Sequence, residues 1–300
     1  MTNGDTSIFR QAALIACLFC FLGATANAQS RQPNLAPNNY GQVGEVTPEK
    51  GLEILTDFRS RGIDGDYYFE FQLRQRLRNS SETIVTPGRM WGSRNAQGPI
   101  TRITLWPDAP DKELRLLIQN GPASAIWQYP PTTATAGGMT SVSSAAMFIP
   151  LVGTELTPFE LQMPFIYWSN FVYEGIKPAA SNRPAYTFIM RPPPALAAAH
   201  PEIAGVRIYI ETAFRAIGKF EVLGPGDAVI KTMTLKETPR INGQYIPGKI
   251  ELRNDQTRNA TDFQVKLAAV KLDLPRDIFS PENLSKPVTP PPLETLWKAP

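Results

Sequence analysis

The stretch "AGVRIYIETAFRAIGKFEVLGPGDAVIKTMTL", residues 204–235, has the clearest strand pattern in the chain. Apolar and polar side chains alternate in 206–211, again in 214–222, and the chain returns through 228–237. Strict alternation is typical of a strand with one buried face, because successive side chains point to opposite sides of a sheet. The Gly- and Pro-containing segment 224–227 reverses the chain between two of these strands. The sequence therefore predicts an antiparallel meander.

Further strands extend this meander in both directions. "YYFEFQLRQRLR" (67–78) alternates clearly upstream, and "GKIELR" (248–253) and "TDFQVKLAAVKLDL" (261–274) follow downstream. In the last of these the apolar residues change from odd positions (263, 265, 267) to even positions (270, 272, 274). One extra residue is needed to keep them on one face, so we expect a β-bulge near Ala268–Ala269. A bulge bends a strand. The predicted fold class is mainly β (α+β), a long curved antiparallel sheet whose concave face is covered by short helices.

The first of these helices is predicted to begin at Pro48. Thr47 can cap its amino end, proline suits the first helical position, and Gly62 is a natural stop. Its apolar face is predicted to consist of Leu52, Ile54, Leu55 and Phe58.

The second helix is predicted to begin at Pro158, within "LTPFELQM". Thr157 and Glu160 form a capping-box pattern, and Leu156 and Leu161 can form the hydrophobic staple.

The aromatic stretch "PFIYWSNFVY" (164–173) follows directly. Pro164 disfavours further helix, so we expect a bent segment that leads into a strand ended by Gly175. Aromatic residues occur on both parities, which argues against a half-solvated surface strand. We interpret the stretch as a lid or rim over an apolar mouth, or alternatively as plain core packing.

Tryptophans and phenylalanines are the candidate binding residues. A cavity for an acyl chain needs apolar walls and few polar groups, because such a ligand offers no hydrogen bonds. The candidates for the cavity and its lid are Phe69, Phe71, Trp91, Trp106, Trp127, Phe165, Trp168 and Phe171.

The amino terminus has the features of a secretory signal peptide. Arg10, a short apolar run and "ANA" at 26–28 predict cleavage after residue 28 and export to the periplasm. A minor alternative is lipoprotein anchoring at Cys17, within the lipobox-like "LIAC". Both cysteines precede residue 28, so cleavage there leaves no thiol or disulfide. No later segment has the length to cross a bilayer as a helix.

Composition argues against several functional classes. The formal net charge of +3 is mild and the basic residues are scattered, so no nucleic-acid partner is predicted. The one histidine, His200, is read as an exposed loop residue, and the usual zinc sites, a nucleophile elbow and a nucleotide-binding glycine loop are not found. No metal and no cofactor are predicted. An exported hydrolase remains the third alternative, through carboxylates brought together by folding.

Several ordered segments together resemble the outer membrane lipoprotein-sorting protein family, which is LolA-like. They are a Gly–Asp turn at Gly226–Asp227, "KTM" at Lys231–Met233, "NGQYIP" at Asn242–Pro247 and the closing "LPRDIFSPENL" at Leu274–Leu284. Upstream, Arg89 and "WQYPP" (127–131) also fit. The resemblance implies an incomplete barrel with helices in its mouth, and a monomeric periplasmic carrier of lipid-modified proteins or other lipids. It also implies exchange with an inner-membrane transporter and an outer-membrane acceptor. We find no counterpart of the family's binding and release residues, so none is carried over.

The predicted organisation has four parts. Residues 1–28 form the signal peptide, 29–46 a flexible segment, 47–285 the LolA-like domain and 286–300 a Pro-rich tail. The predicted function is non-catalytic binding of acyl chains for sorting to the outer membrane. The alternative from another class is an envelope module that uses the same sheet as a protein-binding or structural surface.

Overall fold

A computed structural model describes residues 46–107, 113–130 and 139–300. The predicted signal peptide, the alternative lipid anchor at Cys17 and, apart from Val46, the segment 29–46 lie outside the described residues.

Helix α1, Pro48–Ser60, confirms the first predicted helix. The backbone N–H of Lys50 donates to the hydroxyl oxygen of Thr47, which caps the helix at 3.2 Å. The prediction for its buried face needs one correction, since Leu52 is 51% exposed and Gly51 is buried instead. A Cβ at Gly51 would lie 2.9 Å from the Cβ of Tyr173, so the helix packs close to the sheet only because this residue is glycine.

The sheet has 14 strands, all paired antiparallel. In chain order, the first six strands run from the centre of the sheet to one edge. The remaining strands start at the opposite edge and run back to the centre. The first half contains β1 (Asp66–Arg76), β2 (Thr83–Asn95), β3 (Gly98–Leu105), β4 (Leu114–Gln119), β5 (Ala125–Tyr129) and β6 (Thr140–Ser141). The second contains β7 (Phe171–Pro178), β8 (Pro184–Met190), β9 (Gly205–Glu211), β10 (Ile217–Leu223), β11 (Val229–Glu237), β14 (Lys249–Asn254), β15 (Ala260–Leu272) and β16 (Trp297–Lys298). The short strands β12 (Arg240–Ile241) and β13 (Gln244–Tyr245) form a separate hairpin.

The strand order leaves the sheet open. The two halves join where β1 pairs with β15, β6 and β7 lie at opposite edges, and β16 adds to β15. The result is an incomplete antiparallel barrel, as the sequence predicts.

The bulge in β15 is real but lies elsewhere than predicted. The register against β1 shifts at Lys266 and again at Lys271, rather than at Ala268–Ala269. Val265 and Ala268 consequently point to the same side of the sheet, although their parities differ. The extra residues are the exposed lysines, because a long charged side chain at a bulge can remain in water.

Both faces of the sheet are buried in its central part. We call the face that carries the larger hydrophobic cluster, together with α1, the inner face; its members include Phe69, Phe71, Phe188 and Phe220. The outer face carries a smaller cluster around Tyr68, Trp91 and Leu117, which the carboxy-terminal segment covers through Phe279, Leu284 and Leu296.

Candidate functional site: the inner face and its cover

The chain between β6 and β7, residues 142–170, is called here the crossover. Since these two strands form opposite edges of the sheet, the crossover has to pass from one edge to the other. Its buried side chains belong to the same cluster as the inner face of the strands. It contains helix α2 (Pro158–Gln162) and three short 3-10 turns, Ser144–Phe148, Leu151–Gly153 and Pro164–Tyr167. The crossover and α1 are therefore the covers of the inner face.

Helix α2 begins as the sequence predicts. The backbone N–H of Thr157 donates to a carboxylate oxygen of Glu160 at 2.8 Å, which completes the capping box. Met163 ends the helix in the left-handed conformation at φ 48°, directly before Pro164. The predicted end of the following strand is wrong: Gly175, at φ +81°, lies at a register shift, and β7 continues to Pro178. Gly175 lies in a β-bulge, which bends the strand without ending it.

Aromatic rings of the crossover stack into the inner core. Phe165 is fully buried, and its ring centroid lies 5.1 Å from that of Phe220 on β10 and 5.6 Å from that of Phe159 on α2. Trp168 is buried beside Phe159 and Phe165, with ring centroids 6.3 Å from each. Phe148 extends the group at 4.7 Å from Phe159. These rings fill the space against the sheet.

The eight candidate residues divide between three places. Phe69, Phe71, Phe165 and Trp168 belong to the inner core, and Phe171 packs against it while partly exposed. Trp91 and Trp127 lie with the outer cluster, and Trp106 lies outside both clusters with the guanidinium of Arg89 5.2 Å from its ring centroid. The expectation that Trp91 and Trp127 line the inner cavity is thus corrected. The reason is strand alternation, because their neighbours Met90 and Ile126 point inward.

Hydrogen bonds from α1 and from the sheet hold the crossover in place. At its carboxy-terminal end, Arg59 of α1 donates to the carbonyl oxygens of Ile166 (2.8 Å) and Trp168 (3.3 Å). Burial lowers the pKa of this guanidinium, while the Tyr167 ring, 5.9 Å away, lies beside the charge. Arg59 therefore joins the two covers of the inner face to each other.

A second group of contacts joins the middle of the crossover to the sheet. The backbone N–H of Glu155 donates to the hydroxyl of Thr261 at 2.9 Å, and Asn254 donates to the Glu155 carboxylate at 3.0 Å. Gln75 donates to the carbonyl of Gly153. The ammonium of Lys231 donates to the Glu155 carbonyl at 2.9 Å and lies 3.2 Å from Glu160. The sequence analysis did not identify this lysine. Its position could have indicated a special role, because Lys231 alternates with Met233 and Leu235 on the apolar side of β11.

A cavity of about 20 Å³, room for roughly one water molecule, remains between α2 and the sheet. It is lined by Leu73, Leu156, Glu160, Met233, Ile250, Leu252, Thr261 and Phe263. Larger spaces of about 500 Å³ flank Lys266, but these grooves are open and bordered by charged residues such as Glu70, Arg89 and Lys249. The cavity beside α2 is therefore too small to hold an acyl chain.

The outer face contains a buried arginine that forms no ion pair with a carboxylate of the described residues. Arg102 on β3 is 1% exposed and donates to the carbonyl oxygens of Ile278 (2.9 Å), Asn283 (3.1 Å) and Leu284 (3.1 Å), and also to that of Lys286. Burial lowers its pKa to about 10, so it stays a cation at neutral pH. Arg102 and the outer cluster hold the "LPRDIFSPENL" segment on the sheet, together with Arg115, which donates to the carbonyl oxygen of Leu284 (3.3 Å), and Asp66, which accepts from the backbone N–H of Leu274 (2.8 Å).

Other kinds of site find no support in the described residues. His200 is not the exposed loop residue that was expected: its side chain is 12% exposed, stacks at 4.3 Å on Phe148 and approaches Glu202 at 2.9 Å. Within 46–107, 113–130 and 139–300 no cluster of histidine, cysteine, aspartate and glutamate is suited to a metal ion. Nor does any helix of the described part have the length and apolarity to cross a membrane.

Comparisons with known proteins agree with this architecture. A family model described as "Uncharacterized protein" matches residues 109–286, more than half of the chain. The chain belongs to this family. No curated protein matches the chain.

Three solved structures have a fold similar to that of this chain. Each alignment covers 79% of this chain and 98% of the other chain. One is a Vibrio parahaemolyticus domain named for outer membrane lipoprotein sorting (18% identity, TM-score 0.65). The others are a DUF1329 family protein from Desulfovibrio piger (10%, 0.63) and a LolA superfamily protein from Nitrosomonas europaea (13%, 0.57). The resemblance stated from the sequence is confirmed at the level of the fold.

Proposed function

We propose that this protein is a non-catalytic carrier that binds the acyl chains of lipoproteins or other lipids against its inner face, and that the structure describes its closed form. The observation that carries the proposal is the crossover. It covers a continuous apolar wall with its own aromatic side chains, as an acyl chain would, and side-chain hydrogen bonds such as those of Arg59 and Thr261 attach it to α1 and the sheet.

Displacement of the crossover would make room for cargo. Each methylene of an acyl chain buried on the exposed wall would contribute about 0.8 kcal/mol, which offsets the lost packing of the crossover side chains. Two non-glycine residues of the crossover, Val152 (φ 46°) and Met163 (φ 48°), have left-handed backbone conformations. That conformation costs on the order of 1 kcal/mol for such residues, so both positions are suited to act as hinges.

The cargo-contacting residues in this proposal are those on or against the inner core. They are Phe69, Phe71, Phe165, Trp168 and Phe171. The phenylalanines of β1 would form the fixed wall, and the crossover residues would move. The outward-facing Trp91 and Trp127 and the peripheral Trp106 are not included, because they cannot meet a ligand on the inner face.

We further propose that residues 1–28 direct export and that the carrier works in the periplasm, where its cargo would be lipid-modified proteins or free lipids. A transporter in the inner membrane would load it and an acceptor in the outer membrane would unload it. The family's fold and the sequence of the amino terminus support this assignment.

A reversible lock of the crossover tests the function. Glu155→Cys and Thr261→Cys place a disulfide where the Glu155 amide now contacts the Thr261 hydroxyl, with Cys17→Ser and Cys20→Ser to remove other thiols. We expect the reduced protein to bind a fluorescent fatty acid and the oxidised protein to bind none. The reduced form of the same variant is the matched control. Mass spectrometry of natively purified protein should detect acyl lipid, and absence of both lipid and fatty-acid binding contradicts the proposal.

The second candidate is an envelope module that binds a protein or supports structure without carrying lipid. The small volume of the cavity beside α2, about 20 Å³, favours it. This candidate predicts that neither form of the disulfide variant binds fatty acid.

A further inference from the structure

We propose that Lys231 anchors the anionic headgroup of the acyl ligand, and that Glu160 occupies the headgroup's place in the closed form. This inference rests on the proposed function and adds the chemical class of ligand: an acyl chain that ends in a carboxylate or phosphate.

The position of Lys231 on the sheet is unusual for a cation. On β11 it shares its parity with Met233 and Leu235, both of which lie in the inner core. Its side chain is only 17% exposed. A buried ammonium requires an anion or several acceptors, because burial without them is very unfavourable.

Among the described residues, both acceptors of Lys231 belong to the crossover. They are the carbonyl oxygen of Glu155 at 2.9 Å and the carboxylate of Glu160 at 3.2 Å, the latter with a side chain 3% exposed. Lys231 itself belongs to the sheet and stays with the wall. Any motion that lifts the crossover from the inner face therefore separates this ammonium from Glu155 and Glu160, in largely apolar surroundings.

The surroundings of the pair fit an acyl ligand. The cavity that Glu160 borders is otherwise lined by aliphatic and aromatic side chains and the hydroxyl-bearing Thr261. A ligand whose chain lies along Leu73, Met233 and Leu252 would present its headgroup near the ammonium. A carboxylate or phosphate there would re-form the charge-assisted hydrogen bond that Glu160 gives up. The internal glutamate thus competes with the ligand for the same cation.

The alternative is an ordinary structural ion pair, which would make no distinction between ligands. The two readings differ in how binding depends on headgroup charge. The probes are dodecanoate, dodecyl phosphate and dodecanol, with displacement of a fluorescent fatty acid as the readout. Thermal unfolding of each variant checks that it is folded.

The variants separate charge from shape. Lys231→Met keeps the length of the side chain without its charge, and Lys231→Arg keeps the charge. Glu160→Gln removes the competing carboxylate while glutamine still serves at the third position of a capping box. We expect the natural protein and Lys231→Arg to bind the two anionic probes at least about tenfold more tightly than dodecanol. Lys231→Met should lose this preference and keep its affinity for dodecanol, and Glu160→Gln should bind the anions more tightly.

The outcomes distinguish the inference from the function on which it rests. If all three probes bind the natural protein equally, or if Lys231→Met keeps the preference, the headgroup site is wrong while the carrier function stands. If no probe binds the natural protein, the carrier function itself is contradicted. A preference for only one of the two anions identifies which headgroup, carboxylate or phosphate, the site accepts.

Discussion

The guanidinium of Arg59 lies 2.8 Å from the carbonyl oxygen of Ile166 and thereby joins the first helix to the crossover. The two residues are far apart in the chain and belong to the two covers of the inner face. Opening either cover breaks this contact, so the covers are expected to move in a coupled way.

Arg59→Met should loosen the crossover without unfolding the sheet. Hydrogen bonds from a charged donor contribute about 1.5–3 kcal/mol, and we expect a loss of that order in the free energy of unfolding. Amide hydrogen exchange should quicken within Pro164–Tyr167. Arg61→Met is the matched control, because Arg61 pairs with Asp57 on its own helix and does not contact the crossover. Equal exchange in the two variants would show that Arg59 does not hold the cover.

The next prediction concerns the fully buried ring of Phe165. Phe165→Ala should lower the free energy of unfolding by about 3–5 kcal/mol, since a cavity opens beside Phe159 and Phe220. Phe171→Ala should cost less, because that side chain is partly exposed. Urea unfolding measures both. If the two variants lose equal stability, the packing described for Phe165 is not what stabilises the closed form.

Local patterns predicted helices α1 and α2 and the strands of the meander, but not the short helix Pro194–Ala199, strands such as β2 and β8, or how the faces of the sheet are used. Alternation identifies which residues of β2 share a side; it cannot say which side is inner when both are covered. Trp91 was assigned to the inner cavity because it is a large apolar residue and only one apolar face was expected. The outer cluster was not predicted. That cluster exists because the carboxy-terminal segment returns to the sheet, where Leu296 is buried and β16 pairs with β15. Such pairing between distant segments leaves no local signal.

The candidate site was predictable only in part, for a related reason. The spacing of Thr157 and Glu160 predicts the start of a helix, and α2 is present in the structure. Nothing in the spacing shows that Glu160 also meets Lys231, more than seventy residues further along the chain. Long-range ion pairs depend on strand order, and that order is set by the pairing of β1 with β15.

Arg102 is expected to hold the carboxy-terminal segment on the outer face. In Arg102→Met the carbonyl oxygens of Asn283 and Leu284 lose a buried donor, which costs on the order of 3 kcal/mol or more for the set. Limited proteolysis should then cut within Leu274–Leu284. Arg78→Met, at an exposed position of equal charge, is the control. Arg102→Lys should give an intermediate result, since a lysine cannot reach all the carbonyl oxygens at once. Resistance of Arg102→Met to cleavage would contradict the assigned role.

The Gly–Asp turn between β10 and β11 gives a prediction of pH dependence. Arg191 makes a two-point contact with Asp227, at 2.7 and 3.1 Å, and these hydrogen bonds hold the pKa of the carboxyl below its usual range. A depressed carboxyl pKa contributes stability above the unfolded value of about 3.9, and that contribution is lost as pH falls through the lower folded value.

Asp227→Asn should therefore be less stable than the natural protein at pH 6, by under about 1 kcal/mol because the pair is exposed to solvent. The difference should vanish towards pH 2, and high salt should reduce it at pH 6. Unfolding by urea across this range measures it. Asp273→Asn, with a fully exposed side chain, is the matched control and should show no comparable trend. A difference between Asp227→Asn and the natural protein that stays constant down to pH 2 would mean that the ion pair contributes through shape alone.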